Sequence, residues 1–480
     1  MSISKSQLGS HRGLIIGDQE IFGESEFTVK DKFSGEVIAT ITKAGKKDVE
    51  NAVTEALNTF HNDELTPYQR YEILKKAGEL LKERKEQVAF TIAREVGKTI
   101  KDARGEVDRA IQTLILSSEE AKRIAGEELP IAASPGAENR VGFTMRMPIG
   151  VIGAITPFNF PFNLACHKIA PALAAGNTVV WKPATTTAAS AYHLIEILQD
   201  AGLPSGYVNL VCGSGAQVGD WLLQDERVGK YTFTGSAEVG RYIKENSGLR
   251  KVSLELGNNS PNIVHHDADL DLAAKLCALK GFNTSGQACI SVQRIYVHKQ
   301  AEEAFLSKLK SITENLKVGN PLEEETDIGP LISEGEAERV INWIDEAVSQ
   351  GAEIVTGGKR DGAIVTPTIL KKVENDMKVV CEEVFGPVLT VSTYEDINEA
   401  IEAANNTDYG LQSGIFTTDL NIAMKAVKGF KTGGVIVNDA STFRADAMPY
   451  GGIKNSGIGR EGPRYAVEVL TELKTVILNL

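Results

Sequence analysis

A cysteine in the segment TSGQACISVQR is a candidate nucleophile. Cys289 follows a glycine-containing loop and precedes a predicted strand, so its thiol could be exposed with backbone amides beside it. A free thiol has a pKa of about 8.5 and needs activation to act as a nucleophile at neutral pH. Cysteine is also a common buried core residue. We favour that buried role for Cys166, Cys212, Cys277 and Cys381.

Two further side chains could assist such a nucleophile. Glu255 is flanked by leucines in LELG, and a buried glutamate has a raised pKa that suits a general base near neutral pH. The alternative is a helix-capping or ion-paired carboxylate. Asn159 in TPFNFPFN follows a predicted strand, where its amide could stabilise an oxyanion. More often such an asparagine ties the turn to its own backbone.

Two strand ends could bind an anionic cofactor. In KYTFTGSAEVGRYIKEN a strand runs into Gly235 and Ser236, and a helix begins at once, so its free N–H groups form an anion site. The alternative is an ordinary strand–helix turn with Ser236 as the N-cap. Lys182 ends a second strand, where it could reach ribose hydroxyls or a phosphate. The alternative is a solvated lysine.

No metal site is predicted. The acidic run DADLD lacks the glycine and the final glutamate that a calcium loop needs at later positions. His265 and His266 would point to opposite faces of a strand and have no third partner.

The elements that carry these residues alternate along the chain. Apolar residues at helical spacing predict helices in the first part, and from Gly150 onward short apolar runs alternate with helical stretches, which indicates parallel sheets. The predicted helices are Lys46–Phe60, Pro67–Gly97, Ala103–Ala125, Ala188–Ala201, Asp269–Leu279, Ala301–Leu316 and Ile397–Asn405. The predicted strands are Asn139–Met147, Gly150–Thr156, Thr178–Lys182, Val208–Cys212, Lys230–Thr234, Asn262–His265, Arg294–His298, Val388–Ser392, Gly414–Thr417 and Val435–Asn438.

This pattern predicts two closely packed α/β domains with a ligand-binding cleft between them. The tail, Tyr465–Leu480, ends in the apolar run TVILNL. An unpaired apolar strand is an aggregation hazard, so we expect this one to be buried in an oligomer interface.

Composition narrows the function classes. The chain has 480 residues with 42% hydrophobic and 24% charged, which indicates two or three globular domains. Its net charge of −13 disfavours nucleic-acid and membrane partners. Five scattered cysteines indicate a reducing compartment, and the first residues lack the apolar region of a signal peptide. We therefore expect a cytoplasmic enzyme.

Taken together, eight segments resemble the aldehyde dehydrogenase superfamily, in the lactaldehyde, phosphonoacetaldehyde and non-phosphorylating glyceraldehyde-3-phosphate dehydrogenase branches. They occur in order between residues 156 and 462. The segments are TPFNFP (Thr156–Pro161), PALAAGNTVVWKPA (Pro171–Ala184), AGLPSGYVN (Ala201–Asn209), FTGSAEVG, LELGNNSP, GQAC, EEVFGPV (Glu382–Val388) and PYGGIKNSGIGREG (Pro449–Gly462).

The resemblance implies an α/β fold of the aldehyde dehydrogenase type. It implies a Rossmann-type cofactor domain over residues 1–138 and 150–256, and an α/β catalytic domain over 257–455. A small β element over 139–149 and 456–480 would bridge subunits. Homodimers or homotetramers are implied.

The same resemblance implies roles for individual residues. Cys289 would attack the aldehyde carbonyl, the Asn159 side chain and the Cys289 N–H would form the oxyanion hole, and Glu255 would activate the water that hydrolyses the thioester. NAD or NADP would take the hydride. The cofactor would contact Thr156, Phe158, Lys182, Thr185, Gly235, Ser236, Glu383 and Phe385.

This chain departs from the family pattern at two positions. Asn258 replaces the second glycine of LELGG, which puts the backbone behind Glu255 in doubt. Thr185 stands where NAD-preferring members often carry a glutamate that grips both ribose hydroxyls. Since threonine lacks the charge that would repel a 2′-phosphate, we expect NADP to be accepted, with NAD as the alternative.

The substrate implied by the resemblance is a short aldehyde with an anionic or hydroxyl tail: lactaldehyde, glyceraldehyde-3-phosphate, phosphonoacetaldehyde or a semialdehyde. Arg109 and Arg444, the latter beside Phe443 on the loop that borders the substrate entrance, match positions that could bind the tail. Alternatively, both arginines form surface salt bridges. The alternative hypotheses for the function are a CoA-acylating aldehyde dehydrogenase, a semialdehyde phosphate reductase and a non-catalytic structural relative.

Overall fold

The computed structural model describes residues 10–480, and most predicted elements lie within a few residues of their expected bounds. The helices are α1 (Lys46–Asn62), α2 (Pro67–Glu83), α3 (Lys85–Val96), α4 (Ile100–Ala121), α5 (Asn163–Ala174), α6 (Ala189–Asp200), α7 (Gly215–Gln224), α8 (Ala237–Asn246), α9 (Leu270–Phe282), α10 (Glu302–Glu314), α11 (Glu334–Ser349), α12 (Lys378–Cys381), α13 (Ile397–Asn405), α14 (Leu420–Gly429) and α15 (Pro463–Val469). The strands are β1 (Ser10–Arg12), β2 (Leu14–Ile16), β3 (Gln19–Ile21), β4 (Glu26–Lys30), β5 (Val37–Thr42), β6 (Glu128–Leu129), β7 (Arg140–Pro148), β8 (Val151–Ile155), β9 (Thr178–Lys182), β10 (Val208–Leu210), β11 (Val228–Thr234), β12 (Lys251–Glu255), β13 (Pro261–Val264), β14 (Arg294–His298), β15 (Glu353–Thr356), β16 (Arg360–Asp361), β17 (Ile364–Val365), β18 (Thr368–Lys371), β19 (Val388–Tyr394), β20 (Gln412–Phe416), β21 (Gly434–Val437), β22 (Gly457–Ile458) and β23 (Thr471–Asn479).

The first large sheet has eight strands in the order β22-β12-β11-β8-β9-β10-β2-β3. Its five central strands, β12 to β10, are parallel and consist of buried apolar runs. The chain builds β8, β9 and β10 in one direction and then adds β11 and β12 on the other side of β8. Ligands of such sheets bind outside the carboxyl ends of the strands where the direction reverses. The fold therefore predicts a site beyond β8 and β11.

One predicted helix, Pro67–Gly97, is two helices in the structure. Arg84 separates α2 from α3 and has a φ of −96° and a ψ of 11°, outside helical geometry. Both helices pack against α4 and α6. The helix is interrupted at Arg84, and the change in direction lets the apolar faces of α2 and of α3 both pack against α4 and α6.

The second large sheet has seven strands in the order β15-β18-β19-β14-β13-β20-β21. All neighbours are parallel except the edge strand β15. Cys289 precedes β14, and Glu383 precedes the adjacent strand β19. Because the two strands are parallel neighbours, both residues lie at the amino edge of this sheet.

The predicted tail strand is present as β23. It pairs antiparallel with β7 over nine residues, from Thr471 opposite Pro148 to Asn479 opposite Arg140. β23 is an edge strand, and Leu473, Ile477 and Leu478 are exposed on it. Within the segment 456–480, β22 belongs to the first sheet, where it pairs with β12.

The prediction for the four other cysteines is correct for three of them. Cys166, Cys212 and Cys277 are buried, but Cys381 is partly exposed. Cys381 is the last residue of α12, which has only four residues, so its side chain lies at the rim of the core rather than inside it. No helix in the described residues is long and apolar enough to cross a membrane.

The predicted orientation of the histidine pair is wrong, and so is the expectation that it has no third neighbour. β13 ends at Val264, so strand alternation does not extend to His265 and His266, and their ring centroids lie 4.3 Å apart. His298 packs against both rings, at 5.2 and 4.8 Å. Even so, no group of three or more His, Cys, Asp or Glu residues in the range 10–480 is arranged to hold a metal ion.

Candidate active site

A cavity of about 1080 Å³ lies beyond the carboxyl ends of β8 and β11, where the sheet order predicts a ligand site. Asn159 and Cys289 line it together with all eight residues expected to contact the cofactor. Those eight are Thr156, Phe158, Lys182, Thr185, Gly235, Ser236, Glu383 and Phe385.

One end of the cavity offers a cation and a helix N-terminus. Lys182 is buried at the end of β9, its Nζ donates to the Pro183 carbonyl at 3.0 Å, and burial lowers its pKa to about 8. Thr185 Oγ1 donates to the Gly213 carbonyl at 2.7 Å. Ser236 caps α8 by accepting from the backbone N–H of Val239. Ser236 is thus an N-cap and a cavity residue at the same time.

The other end offers a carboxylate and an aromatic ring. Glu383 Oε1 accepts the backbone N–H of Asn258 at 2.9 Å, and burial raises the pKa of Glu383 to about 7. Phe385 has a φ of +48°, and its ring centroid is 5.8 Å from that of Phe158. A cation at one end and a carboxylate at the other fit the phosphates and the second ribose of a dinucleotide, so the residues present fit the expected cofactor.

The substitution at Asn258 is accommodated without backbone strain. Asn258 has a negative φ, so this position does not need a glycine. Its side chain is buried, donates to Ser260 Oγ at 2.7 Å and to the Gln412 carbonyl at 3.2 Å, and thereby ties the segment after β12 to β20.

A strained turn presents Cys289. Thr284, Ser285 and Gly286 have φ values of +51°, +56° and +75°, the left-handed region that favours glycine. A Cβ on Gly286 would lie 2.1 Å from the Gly386 carbonyl oxygen, so only glycine allows this approach. Cys289 Sγ is 3.0 Å from Tyr450 Oη. Burial raises the Cys289 pKa to about 11, and the Tyr450 hydrogen bond opposes that rise.

Asn159 joins the loop after β8 to the cysteine loop. Its Nδ2 donates to the Gln287 carbonyl at 2.8 Å, two residues before Cys289. Its Oδ1 accepts the backbone N–H of Phe160 at 3.1 Å, the local turn contact that was the alternative interpretation. The side chain is buried and lines the cavity beside Cys289.

Glu255 is the last residue of β12 and is buried. Its Oε2 has no hydrogen-bond partner in the described part of the chain. Burial first, and then repulsion from Glu461, raises the Glu255 pKa well above its usual range, while Lys168 and Arg444 oppose the rise. Lys168 and Arg444 lower the pKa of Glu461 as well, and there they outweigh burial, because they bond to it directly at 2.9 Å each and hold its pKa far below normal.

The two candidate substrate arginines are ion-paired but are not ordinary surface residues. Arg109 is one-third exposed and donates to Asp446 Oδ1 at 2.8 Å, and the same oxygen lies 2.9 Å from His167 Nε2. Arg444 is buried, donates to Glu461, and has an Nε with no partner among residues 10–480. Arg109, Arg444 and Glu255 do not line the cofactor cavity.

Phe443, the third candidate substrate residue, is about half exposed (51%) and also lies outside the cavity lining. Its carbonyl accepts from Gln412 Nε2 at 2.8 Å. Its backbone therefore fixes the loop that carries Arg444, while its ring faces solvent.

Sequence reasoning missed four residues of this site: Tyr450, Lys168, Asp446 and Glu461. Tyr450 and Glu461 lie inside PYGGIKNSGIGREG, so the motif contained a signal but did not say which side chains point at the cysteine. The segment NLACHKIAP around Lys168 resembles the lactaldehyde and phosphonoacetaldehyde dehydrogenase branches, but neither it nor the surroundings of Asp446 indicated the ion pairs, which join residues 293 and 337 positions apart.

A family model described as the aldehyde dehydrogenase family matches residues 21–476. The chain belongs to the aldehyde dehydrogenase family. This aldehyde dehydrogenase is therefore an oxidoreductase that acts on aldehydes and uses NAD or NADP.

Known relatives of this aldehyde dehydrogenase align over nearly its full length. It is 53% identical to a 3-sulfolactaldehyde dehydrogenase from Priestia aryabhattai, over 99% of this chain and 100% of the relative. The structure of aldehyde dehydrogenase 21 from Physcomitrella patens in complex with the reaction product succinate is similar with a TM-score of 0.95 and 39% identity, covering 98% of each chain. Glyceraldehyde-3-phosphate dehydrogenase GapN from Methanocaldococcus jannaschii complexed with NADP has a TM-score of 0.91 and 40% identity, covering 95% of this chain and 100% of that one.

Proposed function

We propose that this aldehyde dehydrogenase oxidises a short aldehyde with an anionic tail, with or without a neighbouring hydroxyl group, to its carboxylic acid. The observation that carries the proposal is the charge balance beside Cys289. Five residues, which we call the arginine cluster, consist of three cations and two carboxylates: Arg109, Arg444, Lys168, Asp446 and Glu461. The cluster therefore has one excess positive charge.

The neighbours of the arginine cluster preserve that excess charge. Burial lowers the pKa of His167 to about 4, so this imidazole is neutral at pH 7. Glu255 has a raised pKa and adds no full negative charge near neutrality. Arg109 keeps an exposed edge, and Arg444 keeps an unpartnered buried N–H within the described structure. These donors suit a sulfonate, phosphonate, phosphate or carboxylate.

The proposed chemistry begins at Cys289. Its sulfur forms a bond to the aldehyde carbon while the carbonyl π electrons move to oxygen, and the Asn159 amide faces that oxygen. NAD or NADP, which Lys182, Ser236 and Glu383 would hold, would accept the hydride that leaves the former aldehyde carbon, and the electron pair on oxygen would then re-form the C=O bond to give a thioester on Cys289. Glu255 then takes a proton from a water molecule that attacks the thioester, and the Cys289 thiolate leaves.

The names of the relatives include both kinds of tail that the sequence predicts. They specify 3-sulfolactaldehyde, succinate as a product and glyceraldehyde-3-phosphate, which carry an anionic tail, and lactaldehyde, which carries a hydroxyl tail. With Thr185 in place of a carboxylate, we propose that NADP is accepted.

We also propose the domain limits given above, a cytoplasmic location and a homodimer or homotetramer. The five unpaired cysteines support the cytoplasmic location, and the exposed apolar edge of β23 supports the oligomer.

The test is a comparison of kcat/KM for 3-sulfolactaldehyde, glyceraldehyde-3-phosphate, succinic semialdehyde, lactaldehyde and propanal, each with NAD and with NADP. Arg109→Ala should raise KM for the preferred anionic aldehyde by about 30-fold, because hydrogen bonds to charged groups contribute about 2 kcal/mol. Its effect on propanal should be below about twofold.

Arg104→Ala is the matched control, since Arg104 lies on the same helix α4 and is ion-paired to Glu86 and Glu324 away from the site. Equal loss with anionic and neutral aldehydes in Arg109→Ala would contradict the proposed tail specificity. A requirement for CoA in turnover would reassign the acyl acceptor.

A further inference from the structure

Tyr450 lies against the sulfur of Cys289 in an apolar enclosure. The Oη–Sγ distance is 3.0 Å, and Tyr450 packs with Ile290 and Leu411. Only 2% of Tyr450 is exposed, so water does not compete freely for its hydroxyl. The Tyr450 hydroxyl is therefore held beside the Cys289 sulfur, which is the nucleophile of the proposed reaction.

We propose that Tyr450 is a further catalytic residue, whose hydroxyl donates a hydrogen bond to the Cys289 thiolate and holds the nucleophile in its charged form. This inference rests on the proposed function, in which Cys289 is the nucleophile. It adds a group that acts on the sulfur rather than on the aldehyde oxygen.

The direction of the hydrogen bond follows from the charge state of the sulfur. A thiol can donate to the phenol oxygen, but a thiolate can only accept. Burial raises the pKa of Tyr450 well above its usual range, so the phenol keeps its proton at every working pH. A hydrogen bond to an ionised acceptor is stronger than one between neutral groups. The contact therefore favours the thiolate over the thiol.

The other charged groups around Cys289 do not favour its ionisation on balance. Burial and the carboxyl groups of Glu383 and Glu255 raise the Cys289 pKa, whereas Tyr450 and the Arg444 charge lower it. Among these groups, Tyr450 makes the side-chain hydrogen bond to the sulfur. Removing its hydroxyl should therefore shift the thiol further from ionisation.

Arg444 supports this contact by packing over the face of the Tyr450 ring. Its guanidinium carbon lies 3.6 Å from the Tyr450 ring centroid, and its Nη2 is held by Glu461 at 2.9 Å. A cation over a ring face is attracted to that face and keeps the ring in place. Arg444 is thus a positioning residue for Tyr450 as well as a candidate contact of the substrate tail.

No proton leaves Tyr450 in this scheme. When the sulfur bonds to the aldehyde carbon, its electron pair forms the new bond and the phenol proton stays on oxygen. When the thioester is hydrolysed, the C–S bond breaks, the electron pair returns to sulfur, and the same hydroxyl receives the thiolate. Both steps benefit from one fixed donor.

The experiment measures alkylation of Cys289 by iodoacetamide from pH 6 to 11 in the full-length protein without substrate, followed on the Cys289 peptide by mass spectrometry. Tyr450→Phe removes the hydroxyl but keeps the ring under Arg444. The alkylation rate at pH 8 should fall about tenfold, which corresponds to a rise of about one unit in the pKa of the thiol. Tyr394→Phe is the matched control, because its buried hydroxyl contacts His265 Nδ1 at 2.8 Å, outside the site.

Cys381 provides an internal reference, since it is partly exposed and its alkylation in the same samples should not change. Thermal unfolding of Tyr450→Phe checks that the fold is retained. An unchanged Cys289 profile overturns the inference. A faster alkylation rate at pH 8 also overturns it, because the thiol would then have been the donor. Normal turnover by Cys289→Ser would overturn the proposed function instead.

Discussion

The cofactor cavity, which Cys289 lines, and the arginine cluster, whose Arg444 lies over the ring of Tyr450, are built by different means. In the cavity, all eight residues that the motifs predicted to contact the cofactor are lining residues. In the arginine cluster, each arginine meets a carboxylate supplied by another segment, and the Arg109–Asp446 pair joins residues 337 positions apart. Short motifs therefore specify the first region, whereas the fold assembles the second.

Two buried carboxylates near the cysteine, Glu255 and Glu461, differ in the direction of their pKa shifts. Glu255 has no hydrogen-bond partner for one oxygen in the described structure, and its pKa is raised. Glu461 is equally buried, but Lys168 and Arg444 bond to it and depress its pKa. Burial alone does not decide the charge of a carboxylate; the identity of its neighbours does.

Cys289→Ser should have the largest effect, because it should abolish turnover and leave cofactor binding unchanged. We expect kcat to fall by at least about 10⁴-fold, because a serine hydroxyl at this position has no activating base comparable to that of a serine hydrolase. The cofactor cavity should remain intact, with NADP affinity changed by less than about twofold. Stopped-flow turnover and fluorescence titration with NADP measure the two effects, and a parallel loss of both would contradict the separation.

Glu255→Gln should stop the reaction after hydride transfer and before the thioester is hydrolysed. We expect steady-state kcat to fall about 10³-fold, within the range for loss of a general base. A burst of reduced cofactor equal to one equivalent per active site should remain. A rapid-quench time course gives the burst amplitude, and loss of the burst itself would assign Glu255 to the cysteine step instead.

The wild-type rate should rise with pH. Glu255 has a raised pKa, so it is protonated at low pH and gains its basic form as the pH increases; the Cys289 pKa of about 11 acts in the same direction. We expect kcat/KM, which reports the cysteine step, to increase by about tenfold per pH unit through ionisation of Cys289, and so about a hundredfold from pH 6 to pH 8. We expect kcat, which includes thioester hydrolysis, to rise through loss of the Glu255 proton. A rate that falls over this range would contradict the assignment of the raised pKa.

Lys182→Met should affect the cofactor side alone. Removing the buried ammonium should raise KM for NADP by about 30-fold through loss of charged hydrogen bonds. KM for the aldehyde should stay within about twofold, because the Lys182 ammonium bonds to the Pro183 carbonyl and not to Cys289 or the arginine cluster. Initial-rate kinetics with each substrate varied in turn provide the check, and a matching rise in the aldehyde KM would link the two regions.

Thr185→Glu should give the smallest change. A carboxylate at this position would grip the ribose hydroxyls of NAD and repel a 2′-phosphate, so the NADP/NAD ratio of kcat/KM should fall about tenfold. Thr186→Glu, at the neighbouring position, is the control for added charge. An unchanged ratio would place the 2′-phosphate elsewhere.

Much of the fold could be predicted from the sequence. Thr178–Lys182, Arg294–His298 and Ile397–Asn405 match their expected bounds because each has a clear apolar period and a turn residue nearby. The break at Arg84 and the partial exposure of Cys381 could not be predicted, since both depend on what packs against the element. The pairing of β23 with β7 gives the tail strand its partner, while its outer edge stays exposed.

The sequence by itself determined the residues of the candidate chemistry: Cys289, Glu255 and Asn159 each lie in a motif whose local conformation is set by its own strand and turn. Only the tertiary structure decided which charges those residues meet. Tyr450 at the sulfur, Glu461 beside Glu255 and Asp446 on Arg109 come from segments distant in the chain. Electrostatic interactions depend on distance in space and on burial, and neither is encoded in the local periodicity of a sequence.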